Sequence, residues 1–158
     1  IKGVDVVLMD EREVRLFAEE VNVTLAAQHI LNTGPRMVVV KRGEHGVIQY
    51  MRDSVFAAPA YPLQTVVDPT GAGDSFAGGF VGYLAAMEDP SPEAFRRATI
   101  LGSVMGSFAV ASFSVDRLGS LTRLDITGRF REFSELVNFN GLAPTETLPW
   151  RGDTSVRV

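Results

Sequence analysis

The chain has 158 residues, of which 46% are hydrophobic and 22% are charged, and its formal net charge is −4. This length suits one domain with a sizeable core, the hydrophobic fraction excludes a disordered chain, and the acidic balance argues against a surface for nucleic acid or anionic membrane. The absence of cysteine excludes disulfides and thiolate metal sites and fits the cytoplasmic protein that we expect.

The first predicted element is a strand over residues 4–9, a mostly apolar run rich in β-branched residues that is typical of a strand covered on both faces. Because the sequence opens almost inside this strand, we expect it to be part of a longer protein. Asp10 and Glu13 then open a helix, since acidic residues in a first turn favour the helix dipole and Asp10 can act as the N-cap.

Residues 23–31 predict a second helix, which residues 32–35 (Asn-Thr-Gly-Pro) end, and residues 37–40 predict another buried strand. The alternation of strand, helix and strand indicates an α/β fold in which helices cover the faces of a parallel sheet. Residues 41–46 contain two glycines three positions apart, which predict a tight turn into a further strand over residues 47–51.

Two more strands, over residues 54–58 and 63–67, are predicted to lead into the segment Asp68-Pro-Thr-Gly-Ala-Gly-Asp74. Gly71 and Gly73 permit a tight turn whose N–H groups point outward at the start of the next helix. A helix start of this kind binds anions, and phosphate above all.

An aspartate beside such a turn would repel a phosphate. Its presence is explained if Asp74 takes a proton from a hydroxyl while the N–H groups hold a phosphoryl group next to it. The alternative is a glycine-rich helix start in which Asp74 is a plain N-cap.

Three helices are predicted after the turn, over residues 75–87, 93–115 and 125–137. The first contains glycines that we expect to allow close packing against a neighbouring element, namely Gly78, Gly79 and Gly82. The second is rich in small residues, which indicates a buried helix. We divide the chain into one domain over residues 1–140 and a loose tail over residues 141–158, since the tail is rich in proline and threonine.

The segment Asp68-Pro-Thr-Gly-Ala-Gly-Asp-Ser-Phe-Ala-Gly-Gly-Phe80 resembles the second signature of the ribokinase-like sugar and nucleoside kinases, the PfkB carbohydrate kinase family. The resemblance covers only the C-terminal half of that family. It implies a three-layer, Rossmann-like α/β fold that carries the nucleotide-binding portion and lacks the N-terminal half and its lid. In the family the aspartate is the catalytic base and the three preceding residues form an anion hole for the transferred phosphate. By position these are Asp74 and then Gly71, Ala72 and Gly73.

The resemblance also implies roles for the turn after the first strand. Asp10-Glu-Arg-Glu13 is similar to the family's N-x-x-E motif, whose glutamate helps to organise magnesium and phosphate. Glu13 matches that glutamate and would act on Mg²⁺ through water or phosphate. Asp10 stands where the family has asparagine, and its position implies a place at the ATP site.

Residues 41–46 are similar to a second loop of the family, which contacts the nucleotide. This resemblance implies that Lys41, Gly43 and Gly46 bind ATP. In some relatives the equivalents of Asp68 and Thr70 help to bind a monovalent cation such as K⁺. The helix rich in small residues lies where the family lines its adenine pocket.

These observations leave three functions open. The leading one is an ATP- and Mg²⁺-dependent kinase for a hydroxyl of a small sugar or nucleoside, with no nucleic-acid or membrane partner and with a homo-oligomer left open. The second is a nucleotide-binding module without catalytic activity of its own. The third is a cofactor-phosphate site in an oxidoreductase or transferase, against which stand the aspartate after the turn and the absence of G-x-G-x-x-G after an early strand.

Overall fold

A mixed sheet forms the middle layer of the fold in the computed structural model, which describes residues 1–87, 91–113 and 116–148 and, within these, not the side chains of residues 116 and 117. Within these residues the sheet has four strands in the order β1-β2-β3-β4. They are β1 (Val6–Asp10), β2 (Met37–Lys41), β3 (Val47–Met51) and β4 (Val55–Ala58).

Helices cover both faces of this sheet. Helices α1 (Glu11–Ala18) and α2 (Val23–Asn32) pack on one face through an apolar cluster that includes Val14, Ala26 and Ile30. The other face is covered by α3 (Ala72–Ala85), α4 (Pro92–Ala109) and α6 (Arg123–Leu136), and a short helix α5 (Asp116–Gly119) precedes α6. The predicted three-layer α/β fold is therefore confirmed.

The alternation of side chains along β2 builds both halves of the core. Met37 and Val39 belong to the cluster beneath α3 and α4, whereas Val38 and Val40 belong to the cluster beneath α1 and α2. All four side chains are fully buried. Burial of each one is worth about 1.5–3 kcal/mol relative to exposure, so this apolar run anchors the sheet from both sides.

The prediction of a parallel sheet holds only for β1 and β2 in the described part of the chain. Strand β3 runs antiparallel to β2, and β4 runs antiparallel to β3. The physical reason is connection length, because parallel neighbours need a crossover of a dozen or more residues. A single turn joins β2 to β3.

The predicted strand over residues 63–67 is wrong, since these residues are irregular. Pro59 and Pro62 cannot donate to a strand ladder. The N–H of Val67 donates instead to the carbonyl oxygen of Val110 over 2.8 Å. Helix α4 ends at Ala109, earlier than the predicted residue 115, and the carbonyl that accepts this N–H belongs to its C-cap residue.

Helices α3 and α4 pack closely through glycine. A Cβ on Gly79 would lie 2.8 Å from the Met105 side chain, and a Cβ on Gly102 would lie 2.9 Å from the Phe76 carbonyl oxygen. The expectation of close packing is thus confirmed for Gly79, but it is wrong for Gly78 and Gly82, which face open space. Within the described ranges no helix has the length and apolar character needed to cross a membrane.

Candidate active site

The turn before α3 has the conformation that its glycines predicted. Gly71 is the N-cap of the helix, with a φ of 78° that favours glycine. In the described structure the N–H groups of Gly71, Gly73 and Asp74 have no hydrogen-bond acceptor, whereas that of Ala72 donates to the Pro69 carbonyl over 3.3 Å. The helix therefore begins with unpaired donors at the positive end of its dipole.

Asp74 lies in the first turn of α3 and is exposed. The N-cap is Gly71 and no side chain caps the helix, so the alternative in which Asp74 is a plain N-cap is wrong. Among the described residues the Asp74 carboxylate makes no hydrogen bond or ion pair. It therefore lies beside the unpaired N–H groups without a partner of its own in the described part of the chain.

Asp68 sits on the approach to this turn. Its carboxylate accepts the N–H of Thr70 over 2.9 Å. That backbone hydrogen bond, together with one from the Thr70 side chain, lowers the pKa of Asp68 below its ordinary value. The hydrogen bonds from Thr70 thus favour the ionised form of this carboxylate.

Lys41 brings a positive charge to the start of α3. It is the last residue of β2, and a Cβ on Gly73 would lie 2.9 Å from its Nζ. In the part of the chain that the structure describes, the Lys41 ammonium has no ion-pair or hydrogen-bond partner. A cation without a counterion therefore lies against unpaired N–H groups, which is an arrangement that favours an anionic ligand.

Asp10 and Glu13 form a capping box at the start of α1. The Glu13 N–H donates to Asp10 Oδ1 and the Asp10 N–H donates to Glu13 Oε2, each over 2.7 Å. The capping role that the sequence offers for Asp10 is therefore confirmed. Each carboxylate keeps its other oxygen for a further partner.

The turn between β2 and β3 brings two of the predicted glycines to the same place. Gly43 has a φ of 56° and Gly46 a φ of 84°. A Cβ on Gly46 would lie 2.1 Å from the Ala58 carbonyl oxygen, so only glycine fits there. The turn is thus pressed against the end of β4, and both glycines border the same open space.

That space is a cleft of about 920 Å³. The predicted site residues that line it are Asp10, Lys41, Gly43, Gly46, Ala72 and Gly73. The predicted site residues that do not line it are Glu13, Asp68, Thr70, Gly71 and Asp74. Asp74 is the residue after Gly73, so its exposed carboxylate stands just outside the cleft, at the end that the unpaired N–H groups occupy.

The sequence did not predict which individual residues form the far wall of the cleft. It is formed by Ser103, Gly106, Ser107 and Val110 of α4 and its end, and by the irregular segment that contains Tyr61, Leu63 and Val66. The small residues of α4 were a usable signal, because a helix with a small-residue face leaves room for a ligand. The irregular segment gave no such signal, since its apolar residues resemble a strand.

Arg129 of α6 fixes this wall. Its guanidinium lies 3.6 Å from the centroid of the Phe108 ring and 4.7 Å from that of Tyr61, and it donates to Ser107 Oγ over 3.1 Å. The Tyr61 hydroxyl donates to Glu132, and this hydrogen bond raises the pKa of Tyr61 above its ordinary value. Cation–π and hydrogen-bond contacts therefore tie the irregular segment to α4 and α6.

A family model described as "pfkB family carbohydrate kinase" matches residues 1–117. The chain is also similar to a cytidine kinase of Thermococcus kodakarensis, with 41% identity over 87 residues, which is 52% of this chain and 31% of the relative.

This chain is also similar to solved structures of ribokinases. A ribokinase from Thermotoga maritima aligns with a TM-score of 0.68 and 25% identity over 80% of this chain and 42% of that one. A proposed ribokinase II from E. coli, in complex with ATP and Mg²⁺, aligns with a TM-score of 0.67 and 27% identity over 81% of this chain and 39% of that one. The chain thus spans between 31% and 42% of the length of these three relatives.

Proposed function

Because this chain belongs to the pfkB family of carbohydrate kinases, we propose that it carries the ATP-binding and phosphoryl-transfer site of a kinase for a hydroxyl of a small sugar or nucleoside. One observation supports the proposal most. The unpartnered Lys41 ammonium lies against Gly73 at the start of α3, where several N–H groups lack acceptors and a free carboxylate follows. Positioning and charge stabilisation are what phosphoryl transfer requires of a protein.

In the proposed reaction Asp74 removes the proton of the acceptor hydroxyl. The hydroxyl oxygen forms a bond to the γ-phosphorus of ATP, the bond from that phosphorus to the β,γ-bridging oxygen breaks, and ADP leaves. The N–H groups of Gly71 and Gly73 stabilise the charge on the oxygens of the transferring phosphoryl group, with Ala72 placed between them. Lys41 neutralises charge on the same phosphates.

The cleft suits a nucleotide in size and composition. Its volume of about 920 Å³ is within the usual range for small-molecule sites. The phosphate end would hold Lys41, Gly43 and Gly46, and the opposite wall is lined by small and apolar residues that suit a flat base. Asp10 also lines the cleft.

The residues present also fit a magnesium ion held through ligands other than a protein cage. Within the described ranges no group of three or more His, Cys, Asp or Glu residues could hold a metal ion. We therefore place the ion on phosphate oxygens and water, with the free carboxylate oxygens of Asp10 and Glu13 binding its water. Bound Mg²⁺ would supply charge neutralisation on the phosphates. Asp68 and Thr70 are proposed as the site of a monovalent cation.

The first prediction tests the base. Asp74→Asn should lower kcat by a factor on the order of 10² to 10⁴, because that is the usual contribution of a general base, while ATP affinity is retained. Both quantities are measured by coupled assay and by calorimetric titration. Glu93→Gln is the matched control, since Glu93 is also a carboxylate in the first turn of a helix and lies outside the cleft. Unchanged turnover in Asp74→Asn would refute the assignment of the base.

A second candidate is a nucleotide-binding module without turnover of its own, which is favoured by the fraction of its relatives' length that the chain spans. The two candidates make different predictions for a panel of sugars and nucleosides. A kinase consumes ATP with at least one acceptor, whereas a binding module binds ATP and consumes none. The acceptor that supports ATP consumption then identifies the class of substrate.

A further inference from the structure

An ion-pair cluster lies outside the cleft and is not used by the proposed reaction. The Glu11 carboxylate is held between two guanidinium groups, with Arg42 Nε 2.9 Å from Oε2 and Arg15 Nη2 2.5 Å from Oε1. The pair with Arg15 lies within α1. The pair with Arg42 instead joins α1 to the turn after β2, 31 positions along the chain.

The Glu11–Arg42 pair continues the pairing of two strands beyond the end of the sheet. Asp10 and Lys41 are the last paired residues of β1 and β2, and Glu11 and Arg42 are the next residue of each chain segment. The pair therefore links the two segments that carry Asp10 and Lys41, both of which line the cleft.

Arg42 also holds the turn through its backbone. Its N–H donates to the Gly46 carbonyl over 2.8 Å, and its carbonyl accepts the N–H of His45 over 3.0 Å. Its side chain lies on the side of α1, whereas the preceding residue, Lys41, reaches α3 on the other side of the sheet. Because Arg42 directly follows the last residue of β2, its contacts hold the backbone at the end of the strand from which the Lys41 side chain extends.

Lys41 depends on such an anchor. In the described structure its ammonium has no partner that would hold it, and it lies on the same short stretch as Arg42. Neither Glu11 nor Arg42 lines the cleft, so neither is placed to touch a nucleotide. Any effect of theirs on a ligand is therefore indirect, and Lys41 is the adjoining residue of the cleft that carries a positive charge.

We propose that Glu11 and Arg42 are positioning residues, whose ion pair holds the Lys41 ammonium against the start of α3 for binding of the ATP phosphates. This inference rests on the proposed function of the cleft. It extends the phosphate site to two side chains that do not contact the ligand.

The test is a double-mutant cycle on ATP affinity. Arg42→Ala and Glu11→Gln should each weaken binding about fivefold, and the double variant should be no weaker than either single variant, because all three lose one coupling. Arg15→Ala is the matched control. It removes the other partner of the same carboxylate without touching the turn, and we expect it to change ATP affinity by less than about twofold.

Amide NMR provides a readout that does not need ATP. Loss of the anchor should shift the amide resonances of Gly71 and Gly73 in Arg42→Ala, and Arg15→Ala should leave them in place. If the wild-type chain binds ATP and Arg42→Ala binds it equally well, or if the Gly73 amide does not move, the inference is refuted and the proposed function stands. If the wild-type chain binds no ATP, the proposed function fails, and the inference with it.

Discussion

At the scale of single residues, Gly73 joins the cation to the helix start. It has no positive φ, so its backbone would accept another residue, and its lack of a side chain is needed only for the approach of Lys41. The neighbouring Gly71 differs, because its φ of 78° requires glycine while the space around it is open. The two glycines of the turn therefore serve different physical purposes, one conformational and one steric.

Gly73→Ala should weaken ATP binding roughly tenfold, a free-energy change of about 1.4 kcal/mol, because the new Cβ would lie 2.9 Å from Lys41 Nζ and displace the ammonium. Folding should survive, since the contact is with the end of a flexible side chain. Calorimetric titration with ATP measures the affinity, and circular dichroism measures the melting temperature. Gly78→Ala is the control on the same helix, where a Cβ meets nothing within 4 Å. Equal ATP affinity in the two variants would contradict the steric role of Gly73.

At the scale of elements, one buried polar contact joins α4 to the sheet. Thr99 is fully buried, and its hydroxyl donates to Gln49 Oε1 of β3 over 2.7 Å. Gln49 is also buried, and its amide nitrogen has only the Met51 sulfur within 3.7 Å as a partner in the described structure. This contact sets the position of α4 along the sheet, and with it the far wall of the cleft.

Thr99→Val should destabilise the fold by about 1–3 kcal/mol, because it keeps the volume of the side chain and leaves the Gln49 oxygen buried without a donor. Urea unfolding followed by circular dichroism gives the free energy. Ser103→Ala is the control, since the Ser103 hydroxyl donates to a carbonyl of its own helix and is only partly buried. If Thr99→Val lowers the free energy of unfolding by no more than Ser103→Ala does, the buried contact does not contribute more to stability than the partly buried one.

The elements also show where sequence reasoning succeeds and why it stops. The run at residues 37–40 and the helix start at Asp10 are local signals, and the structure confirms both. The segment over residues 63–67 has strand-like composition, but its partner is the end of a helix rather than a strand. The composition of a segment does not show which backbone groups its own N–H and C=O groups will bond.

The candidate site divides in the same way. The glycine turn and Asp74 are contiguous in sequence, so their chemistry could be inferred before any fold was known. The approach of Lys41 to Gly73, the link from Glu11 to Arg42 and the stacking of Arg129 on Phe108 join residues far apart in the chain. Such pairs follow from the packing of the layers, which no local pattern specifies.

At the scale of the whole molecule, α6 is tied across the cleft wall to the irregular segment. The hydrogen bond from the Tyr61 hydroxyl to Glu132 spans 71 positions of the chain. Because this bond favours the neutral phenol, the pKa of Tyr61 is raised from its ordinary value of 10.0. The folded state thus holds the phenolic proton more tightly than the unfolded state does.

This shift predicts the sign of a pH effect. The contribution of Tyr61 to stability is fully present below pH 10, the unfolded pKa, and is lost as the pH rises through the higher folded pKa. Tyr61→Phe lacks the phenolic proton, so its urea midpoint should fall less steeply between pH 9 and pH 11 than that of the wild type. The comparison of the two proteins isolates the effect of the Tyr61 hydroxyl from that of the groups they share. Parallel curves for the two proteins would show that the bond does not link stability to pH.

Gly102 sets the spacing between two helices that border the cleft. The hydrogen atom that serves as its side chain is all that separates α4 from the Phe76 carbonyl, while Gly106 faces Ala72 one turn further along. The distance between the start of α3 and the opposite wall of the cleft is therefore set at Gly102, which does not itself line the cleft. The width of the cleft can therefore be changed by a substitution at position 102, while the residues that line the cleft are kept.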